Sequence, residues 1–323
     1  MYMNIALVGG SGFIGTNLAS LFDGKNIKFT ILDKVESVLY PDKWQYCDIT
    51  EYTNLVAALA GHDLIINLAA EHKDNVRPTS LYYQVNVEGA KNICKAADSL
   101  DIKNIVFTSS VAVYGFVEKD TDESGEYAPF NHYGKSKLEA EKVYDAWFNS
   151  SKDKKLVTIR PTVVFGAGNR GNVYNLFKQI ASGKFLMIGS GENKKSMAYV
   201  ENIAAFLALT LSFPTGYHLI NYVDKPDFTM NELSTIIYNC LEKKSKIIRI
   251  PYAIGMCAGY VFDFVAKISG KELPVSSIRI KKFCAKTQFS SNNISNYSFS
   301  APYSLQDAVV KTISKEFMYK NNQ

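Results

Sequence analysis

A tyrosine and a lysine are spaced for proton transfer in the segment Tyr133-Gly134-Lys135-Ser136-Lys137. On a helix, residues i and i+4 lie on the same face, so the Lys137 ammonium can approach the Tyr133 phenol. A free tyrosine titrates near pH ~10 and is a poor acid or base at neutral pH. A neighbouring positive charge would lower the pKa of Tyr133 and make it useful in general acid–base chemistry. Because the same spacing also occurs by chance on solvated helix faces, its meaning depends on the elements that position it.

A further hydroxyl group is expected beside this pair, at the end of a buried strand. The apolar run 105–108 ends at Thr108 and continues into Ser109 and Ser110. Cofactors of open α/β sheets bind at the carboxyl ends of the strands, so a hydroxyl there points into the crevice. Ser110 could hydrogen-bond a substrate oxygen next to Tyr133, and the adjacent Ser109 is an alternative for the same role. With a nicotinamide in place, this arrangement suits hydride transfer at a carbinol carbon, and Lys137 could also hold the nicotinamide ribose.

The amino-terminal segment has the pattern of a dinucleotide-binding turn. A short apolar strand, 4–8, is followed by a glycine-rich turn and the start of a helix, which together comprise Gly9, Gly12, Phe13, Ile14 and Gly15. Glycines let backbone amides approach a pyrophosphate, and the helix N-terminus favours its negative charge. The next strand ends at Asp33, whose carboxylate can bind the adenosine ribose and would repel a 2′-phosphate. NAD is therefore predicted in preference to NADP, although Lys34 could weaken the discrimination.

Strand-like runs alternate with helical stretches up to about residue 166. This alternation predicts a Rossmann-type α/β fold with a doubly wound parallel sheet. We predict an NAD-binding domain over residues 1–166 and a smaller, mainly helical, substrate-binding domain over 167–323. A late strand near 217–223 is expected to return to the first sheet. The active site is expected in the crevice between the strand ends and the second domain.

Composition excludes several classes of protein. The 323 residues are 47% hydrophobic and 21% charged, as in ordinary soluble proteins, and a net charge of +5 from scattered lysines does not suggest nucleic-acid binding. Five separated cysteines without a C-x-x-C pair, and four histidines without a ligand pair, predict no disulfide framework and no metal site. No signal peptide is recognised, and the longest apolar stretch, 250–262, is too short to span a bilayer. We expect a cytoplasmic protein in which this stretch is an apolar or amphipathic helix buried in the second domain or against a partner. A position on a membrane surface is the less favoured alternative.

These motifs together resemble the extended short-chain dehydrogenases/reductases, in the group of NAD-dependent nucleotide-sugar epimerases and dehydratases. The resemblance covers about half of the chain, and its motifs occur in the family's order. Besides the glycine turn, Asp33, the two serines and the Tyr133–Lys137 pair, it rests on Asp48-Ile49, Asn67-Leu68-Ala69-Ala70, Asn86, Val113-Tyr114-Gly115, Arg160-Pro161-Thr162 and Phe165-Gly166.

The resemblance implies further roles in cofactor binding. Asp48 and Ile49 would flank the adenine, and Asn86 would brace the active-site helix. The predicted cofactor site is completed by Leu68, Ala69, Ala70, Thr108, Pro161 and Val163. Relatives of this kind also suggest a homodimer formed through the helix that carries Tyr133 and its neighbour near 80–99.

The resemblance also narrows the reaction. Dehydratases of this family carry an Asp-Glu pair directly after the hydroxyl residue, where this chain has Val111-Ala112. Two small apolar side chains cannot carry out acid–base elimination, so dehydration is set aside. What remains is a 4-epimerase or a 4-ketoreductase acting on a UDP-hexose or UDP-N-acetylhexosamine, with Tyr133 as the acid/base. The sequence does not separate these two reactions.

The substrate residues are less closely matched to the family. Lys195 stands where such epimerases have an arginine, and a lysine binds phosphate as a point charge without a bidentate fork. Asn172 and Arg279 are further candidates for substrate binding. Asn172 and the long apolar helix also resemble the 3β-hydroxysteroid dehydrogenase branch, which would imply an apolar alcohol as substrate. A non-catalytic NAD-binding regulator is another alternative, disfavoured because Ser110, Tyr133 and Lys137 are all present.

Overall fold

The computed structural model describes residues 3–73, 76–244, 247–270, 273 and 276–318. In chain order, its strands are β1 (Ile5–Val8), β2 (Phe29–Asp33), β3 (Trp44–Tyr46), β4 (Leu64–Asn67), β5 (Asn104–Thr108), β6 (Lys155–Pro161), β7 (Val163–Phe165), β8 (Leu186–Ile188), β9 (Lys194–Tyr199), β10 (Gly216–Tyr222), β11 (Asp224–Thr229) and β12 (Ile248–Ile250). Its helices are α1 (Phe13–Gly24), α2 (Tyr52–Leu59), α3 (Ser80–Tyr83), α4 (Gly89–Ser99), α5 (His132–Asn149), α6 (Asn172–Ala181), α7 (Val200–Leu209), α8 (Met230–Cys240), α9 (Tyr252–Ser269), α10 (Ser277–Cys284) and α11 (Leu305–Ile313).

Seven parallel strands form the main sheet, in the order β10-β6-β5-β4-β1-β2-β3. The central strands β1 and β4 are buried along their whole length, as expected for apolar strands covered by helices on both faces. The strand order reverses between β1 and β4, which creates a crevice at the carboxyl ends of the strands. The predicted Rossmann-type doubly wound sheet is therefore confirmed.

Helices cover both faces of this sheet. On one face, buried residues of α2, α4 and α5 pack with β5, for example Ile93 and Tyr144 with Phe107. On the other face, α1 packs beside α7, whose Phe206 belongs to the same core as Leu7 of β1. Helix α7 and strand β10 therefore belong to the sheet layers although they lie beyond residue 166. Local periodicity could not assign α7 to this face, because an apolar helix can be buried equally well in either unit.

The smaller unit combines helices with two short sheets. Strands β11, β9 and β7 form one sheet, and β12 pairs with β8 in the other. Helices α6, α8 and α11 share a core with these strands that includes Phe177, Met187, Leu233 and Val309. Their packing closes the unit around its own apolar centre at the carboxyl side of the main sheet.

Helix α9 is not buried within the smaller unit. The apolar stretch 250–262 was predicted to be buried there or against a partner, and only Gly255 and Gly259 of α9 are buried. The first alternative is therefore wrong, whereas burial against a partner stays a prediction. The large apolar side chains of α9 are exposed because the helix packs on the body through its smallest residues. Among the segments that the structure describes, no helix is both long enough and apolar enough to cross a membrane.

The glycine turn owes its shape to very close backbone contacts. Gly9 has a φ of +77°, and a Cβ atom there would lie 2.4 Å from the amide nitrogen of Ala69. A Cβ atom on Gly15 would lie 2.5 Å from the Cα atom of Gly10. These contacts bring the start of α1 against the turn and the turn against the segment after β4. The first residues of α1 are thereby fixed at the crevice.

We predict that Gly15→Ala destabilises the protein by about 1–3 kcal/mol, because the new methyl group overlaps backbone atoms that cannot move independently. Gly24→Ala in the same helix is the matched control, since no heavy atom lies within 4 Å of the position that its added methyl group would take. The control should change stability by less than about 1 kcal/mol, in the stabilising direction. Urea unfolding measures both, and equal midpoints for the two variants would contradict the close approach at Gly15.

Candidate active site

The amino-terminal end of α5 places Tyr133 and Lys137 in the crevice. The Asn131 side chain caps this helix by accepting a hydrogen bond from the Gly134 amide at 2.8 Å. A Cβ atom on Gly134 would lie 2.5 Å from the Ala112 carbonyl oxygen, so the helix rests directly on the turn that follows Ser110. This glycine therefore allows the Tyr133 helix to approach the end of β5.

Ser110, rather than Ser109, lies beside the phenol of Tyr133. The Ser110 side chain is within hydrogen-bonding reach of the phenol, and its oxygen accepts a bond from the Ala112 amide at 3.1 Å. The Ser109 hydroxyl is buried and donates to the Glu141 carboxylate. The catalytic role of Ser110 stays a prediction, but the geometry gives the two serines different surroundings.

Lys137 is buried directly below the end of β5. Its Nζ donates to the Thr108 carbonyl oxygen at 2.6 Å and lies 4.3 Å from the centre of the Phe107 ring. Burial lowers the pKa of Lys137 to about 7, against the opposing effect of the Glu141 carboxylate. A protonated lysine has three N–H donors, so two remain for the hydroxyl groups of a bound molecule.

The predicted effect of Lys137 on Tyr133 is wrong for the protein alone. Burial raises the pKa of Tyr133, and its interaction with Ser110 only partly opposes this shift. Lys137 does not lower it, because its nitrogen is directed to the Thr108 carbonyl rather than to the phenol. The i, i+4 spacing placed both residues on one face but did not determine where the ammonium points.

Ser110, Tyr133 and Lys137 are called the acid–base cluster below. A buried ion pair lies next to this cluster, on the side away from the crevice. The Arg160 guanidinium binds both oxygens of the Glu141 carboxylate, at 2.9 and 2.6 Å. It also donates to the hydroxyls of Tyr114, at 2.6 Å, and Tyr127, at 2.8 Å. Glu141 was not among the residues predicted from the sequence. Its position four residues beyond Lys137 would have placed it on the same helix face.

The glycine turn fits a dinucleotide. Gly12 precedes α1 without any side-chain cap, and a Cβ atom there would meet only the Gly9 carbonyl oxygen, at 3.3 Å. The first amides of α1 are therefore open to an anion. At the end of β2, the Asp33 carboxylate accepts bonds from the amides of Ser11 and Val35, both at 3.0 Å. It is held beside the turn, where an adenosine ribose would lie.

The nicotinamide end of the crevice also contains groups that suit this ligand. The Thr108 hydroxyl oxygen is buried and has no hydrogen-bond partner in the described part of the chain. Leu68 is hydrogen-bonded to β1, and Ala69 and Ala70 follow it at the edge of the glycine turn. The residues of this end thus fit an NAD molecule held by the Gly9–Gly15 turn and Lys137.

The other predicted cofactor residues are distributed around the crevice. Asn86 donates to the Ser136 hydroxyl at 2.9 Å and binds both the amide and the carbonyl of Glu71, so it connects the segment after β4 to α5. Pro161 ends β6, and Val163, which follows it in β7, is 44% exposed. The roles of Asn86, Pro161 and Val163 in cofactor binding stay predictions.

Asp48 is largely occupied by protein contacts. One carboxylate oxygen accepts bonds from the Thr50 amide and hydroxyl, and the other lies 2.9 Å from the Lys34 ammonium. Although burial opposes it, these bonds lower the pKa of Asp48. The adjacent Ile49 packs against Gly89 of α4. The main role of Asp48 seen here is to shape the loop after β3.

The other three predicted substrate residues, besides Ser110, lie on different elements, and their roles stay predictions. Lys195 donates to the carbonyl oxygens of Lys282, at 2.8 Å, and Ala285, at 2.5 Å, at the carboxyl end of α10. Burial lowers the pKa of Lys195 to about 8. Asn172 is exposed at the start of α6, and Arg279 is exposed on α10 with its guanidinium on the Leu273 carbonyl. Lys195 is thus engaged in a helix C-terminus rather than presented as a phosphate clamp.

A cleft of about 430 Å³ lies in the smaller unit, and the sequence did not predict it. Its walls come from the end of β8, the start of α9 and the end of α10, and include Ile188, Ser190, Tyr252, Lys281 and Ala285. Neither Tyr133 nor Lys137 lines this cleft, so it is separate from the acid–base cluster.

Lys137 predicts a pH dependence of stability. Its pKa is about 7 in the folded protein and 10.5 ordinarily. Below pH 7 the folded state holds the buried charge, whereas between these two values only the unfolded state keeps the proton. The free energy of unfolding should therefore rise with pH in this window, by up to about 1.4 kcal/mol per unit.

The measurement compares wild type with Lys137→Met by urea unfolding from roughly pH 6.5 to pH 9.5, a range that begins near the folded-state pKa of Lys137 and extends into the window above it. The free energies of unfolding of the two proteins should differ by an amount that changes with pH, because the variant lacks the titrating group. Lys91→Met, which removes a half-exposed lysine, is the control and should run parallel to wild type. Parallel curves for Lys137→Met as well would show that Lys137 keeps its ordinary pKa.

Comparison with known proteins places this geometry in a family. Residues 5–221 match the NAD dependent epimerase/dehydratase family. The chain is 49% identical, over 98% of its length and 96% of the relative's, to N-acetyl-alpha-D-glucosaminyl-diphospho-ditrans,octacis-undecaprenol 4-epimerase of Escherichia coli O157:H7. It is 27% identical to UDP-glucose 4-epimerase of Vibrio cholerae, over 84% of this chain and 86% of that protein.

Solved structures agree on the fold. The UDP-glucose 4-epimerase of Thermus thermophilus, in complex with NAD, superposes with a TM-score of 0.76 over 97% of this chain and 98% of that one, at 18% identity. Sequence and fold thus lead to the same assignment. This chain is an extended short-chain dehydrogenase/reductase and belongs to the NAD-dependent epimerase/dehydratase family.

Proposed function

We propose that this enzyme is a 4-epimerase of an N-acetylhexosamine that is joined through a diphosphate to a polyprenol. The proposed reaction rests on one observation above all, the close packing of the start of α5 on the turn after Ser110, which brings the Tyr133 phenol beside the Ser110 hydroxyl. Sugar 4-epimerisation is also the activity named for the relatives in Escherichia coli O157:H7 and Vibrio cholerae. The substrate class follows the first of these, which is much more similar to this chain.

In this proposal, Tyr133 exchanges a proton with the oxygen on C4 of the sugar, and Ser110 hydrogen-bonds the same oxygen. NAD, when bound, would supply the acceptance and return of a hydride at C4. Tyr133 must accept the C4 hydroxyl proton as a phenolate during oxidation and return it as a phenol during reduction. Burial raises the pKa of Tyr133 in the protein alone, so the positive charge that oxidised NAD would bring to the site would favour the phenolate. Lys137 has N–H donors left over for the hydroxyls of a ribose, and its burial excludes water from the base of the site.

The turn after Ser110 favours epimerisation over elimination of water. Val111 and Ala112 follow Ser110 directly, and neither can exchange a proton. Elimination needs a base that removes a proton from the carbon next to the keto group and an acid that protonates the hydroxyl leaving from the following carbon. This chain therefore has the groups for oxidation and reduction at C4 but lacks the extra pair at the matching position.

Exposed apolar surface favours a lipid-linked substrate over a UDP-sugar. Lys195 does not discriminate between the two, because both carry a diphosphate. Family resemblance places a diphosphate-binding arginine at this position, whereas Lys195 has no fork and already binds two backbone carbonyls. A polyprenyl chain would draw binding energy from apolar surface, which this protein exposes on α9.

We predict that Asp33 makes the enzyme prefer NAD over NADP. Its carboxylate is fixed by two amides, and Lys34, the nearest cation in sequence, is paired with Asp48 at 2.9 Å. Asp33→Ser should narrow the ratio of the NADP and NAD dissociation constants by roughly tenfold or more, which corresponds to about 1.4 kcal/mol. Asp23→Ser, an acidic residue paired with Lys43 on the outside of α1, is the control. If the ratio of the two dissociation constants is unchanged in Asp33→Ser, Asp33 does not determine the cofactor preference.

The reaction is tested by incubating the purified enzyme with N-acetylglucosamine-diphospho-polyprenol and, separately, UDP-N-acetylglucosamine. The 4-epimer should form from the lipid-linked sugar without added NADH, since hydride is returned within each turnover. Tyr133→Phe should lower kcat by about 10²-fold or more while NAD still binds. Ser110→Ala should lower kcat, whereas Ser109→Ala should act mainly on stability, because Ser109 faces Glu141.

Each alternative has its own result in this experiment. A requirement for stoichiometric NADH would identify a ketoreductase. Efficient conversion of the UDP-sugar but not of the lipid-linked sugar would show that the substrate is a nucleotide sugar. Full activity of Tyr133→Phe would refute the proposed acid–base role.

A further inference from the structure

We propose that α9 and α10 form a docking surface by which this protein binds an anionic lipid bilayer. The docking surface is defined as the outward side of α9 together with Arg279 and Lys281, the two exposed basic residues of α10. Its occupant, a bilayer, rests in part on the proposed lipid-linked substrate, and in part on the exposure, packing and charge of these two helices.

The outward side of α9 is apolar along its whole length. Ile254, Val261, Phe264 and Ile268 are 60%, 62%, 65% and 71% exposed. Their spacing of seven, three and four residues keeps them on one face of an α-helix. Helix α9 therefore presents a continuous row of large apolar side chains to its surroundings, a feature that monomeric soluble proteins rarely have and that marks a contact surface.

This side cannot be turned inward without rebuilding the helix contact. The inward side carries Gly255 and Gly259, whose added Cβ atoms would lie 2.7 Å from the Ile188 side chain and 2.8 Å from the Ser277 Cα atom. Asp263, on the same inward side, accepts bonds from the Ser277 amide. Because small residues set the distance between α9 and its neighbours, the large side chains can only face outward.

The apolar surface extends onto the neighbouring small sheet. Leu186 of β8 and Ile248 of β12 are paired in register and are 47% and 63% exposed. Leu186 lies two residues before Ile188, against which Gly255 packs, so its side chain is on the same face of β8 as α9. The exposed surface is thus broader than one helix.

Charge favours an anionic lipid surface as the occupant. The described residues in 247–286 include Arg249, Lys267, Arg279, Lys281, Lys282 and Lys286, but only one acidic residue, Asp263, which faces inward. Basic residues beside exposed apolar side chains are typical of helices that lie in the membrane interface. A second copy of this chain is less suitable, because a twofold interface would bring these positive charges against themselves.

The depth of contact is limited by the helix itself. No helix in the described ranges could cross a membrane, so α9 would lie parallel to the surface with its outward row among the acyl chains. Tyr252, Lys281 and Ala285 belong to these helices or follow directly and also line the 430 Å³ cleft. Docking would therefore bring a wall of this cleft to the bilayer surface, where a lipid-linked diphosphate is located.

The test is flotation of the purified full-length protein with vesicles of phosphatidylcholine and phosphatidylglycerol. Wild type should float with vesicles that contain phosphatidylglycerol and should be released by high salt. Phe264→Ser/Ile268→Ser should reduce the bound fraction by roughly tenfold, because it removes two large side chains from the outward row. Val38→Ser/Leu39→Ser is the matched control, with side chains that are 93% and 61% exposed but far along the chain from α9, and it should bind like wild type.

The outcomes of this experiment distinguish failure of the docking surface from failure of the proposed substrate. If wild type does not float, or if both double variants bind equally, the docking surface is wrong whatever the substrate is. If wild type sediments as a dimer that Phe264→Ser/Ile268→Ser converts to a monomer, without any flotation, the surface is a self-interface and the proposal is overturned. If wild type floats but converts no lipid-linked sugar, docking stands and the proposed substrate fails. Retained turnover of a short-chain, water-soluble analogue by Phe264→Ser/Ile268→Ser would confirm that its acid–base site is intact.

Discussion

The buried pair of Arg160 and Glu141 is the interaction on which the geometry of the active site depends. Arg160 lies on β6, and Glu141 lies on α5, the helix that carries Tyr133 and Lys137. The same two side chains bind Ser109 and Tyr114, on either side of Ser110. Removing one member of such a pair leaves an uncompensated buried charge, at a cost of about 3–5 kcal/mol. Strand β6, helix α5 and the turn after β5 are therefore held in one arrangement, with Ser110 and Tyr133 facing each other.

This pairing also determines the electrostatics of Lys137. Glu141 is the acidic group that raises the pKa of Lys137, but both of its oxygens are already bound to Arg160. Burial consequently prevails and brings the pKa of Lys137 to about 7. A lysine in this state responds strongly to what binds next to it, because hydroxyl or anionic groups of a ligand restore the solvation that burial removed. The acid–base cluster is thus completed by its cofactor and substrate rather than by the protein alone.

Sequence reasoning was most successful where a local pattern determines structure directly. Alternating strands and helices lead to a parallel sheet, and the glycines at 9 and 15 are needed because a Cβ atom at either position would overlap backbone. The i, i+4 spacing of Tyr133 and Lys137 likewise put both on one helix face. Side-chain contacts between residues that are far apart in the sequence could not be predicted in this way. The direction of the Lys137 ammonium depends on the Thr108 carbonyl, 29 residues away, and the fate of Lys195 depends on where α10 ends.

Helix α9 shows the same limit in a different form. Its sequence is apolar on nearly all sides, and this pattern usually indicates burial. The structure exposes it because two glycines, rather than its large side chains, make the contact with the body. Hydrophobicity alone does not say which side of a helix is covered when the smallest residues form the closest contact.

The proposed acid–base residues and the exposed helices α9 and α10 make separate sets of contacts. Ser110, Tyr133 and Lys137 are fixed at the ends of β5 and the start of α5, and none of them contacts α9 or α10 in the hydrogen bonds of the described residues. The contacts of α9 and α10 are made instead with β8 and the segment around Ser277. Under the proposed function, changes in these two helices would alter what the enzyme binds while Ser110, Tyr133 and Lys137 stay in place. In this chain, glycine contacts and outward apolar side chains give the smaller unit an exposed surface, without any change to the residues proposed to exchange the proton.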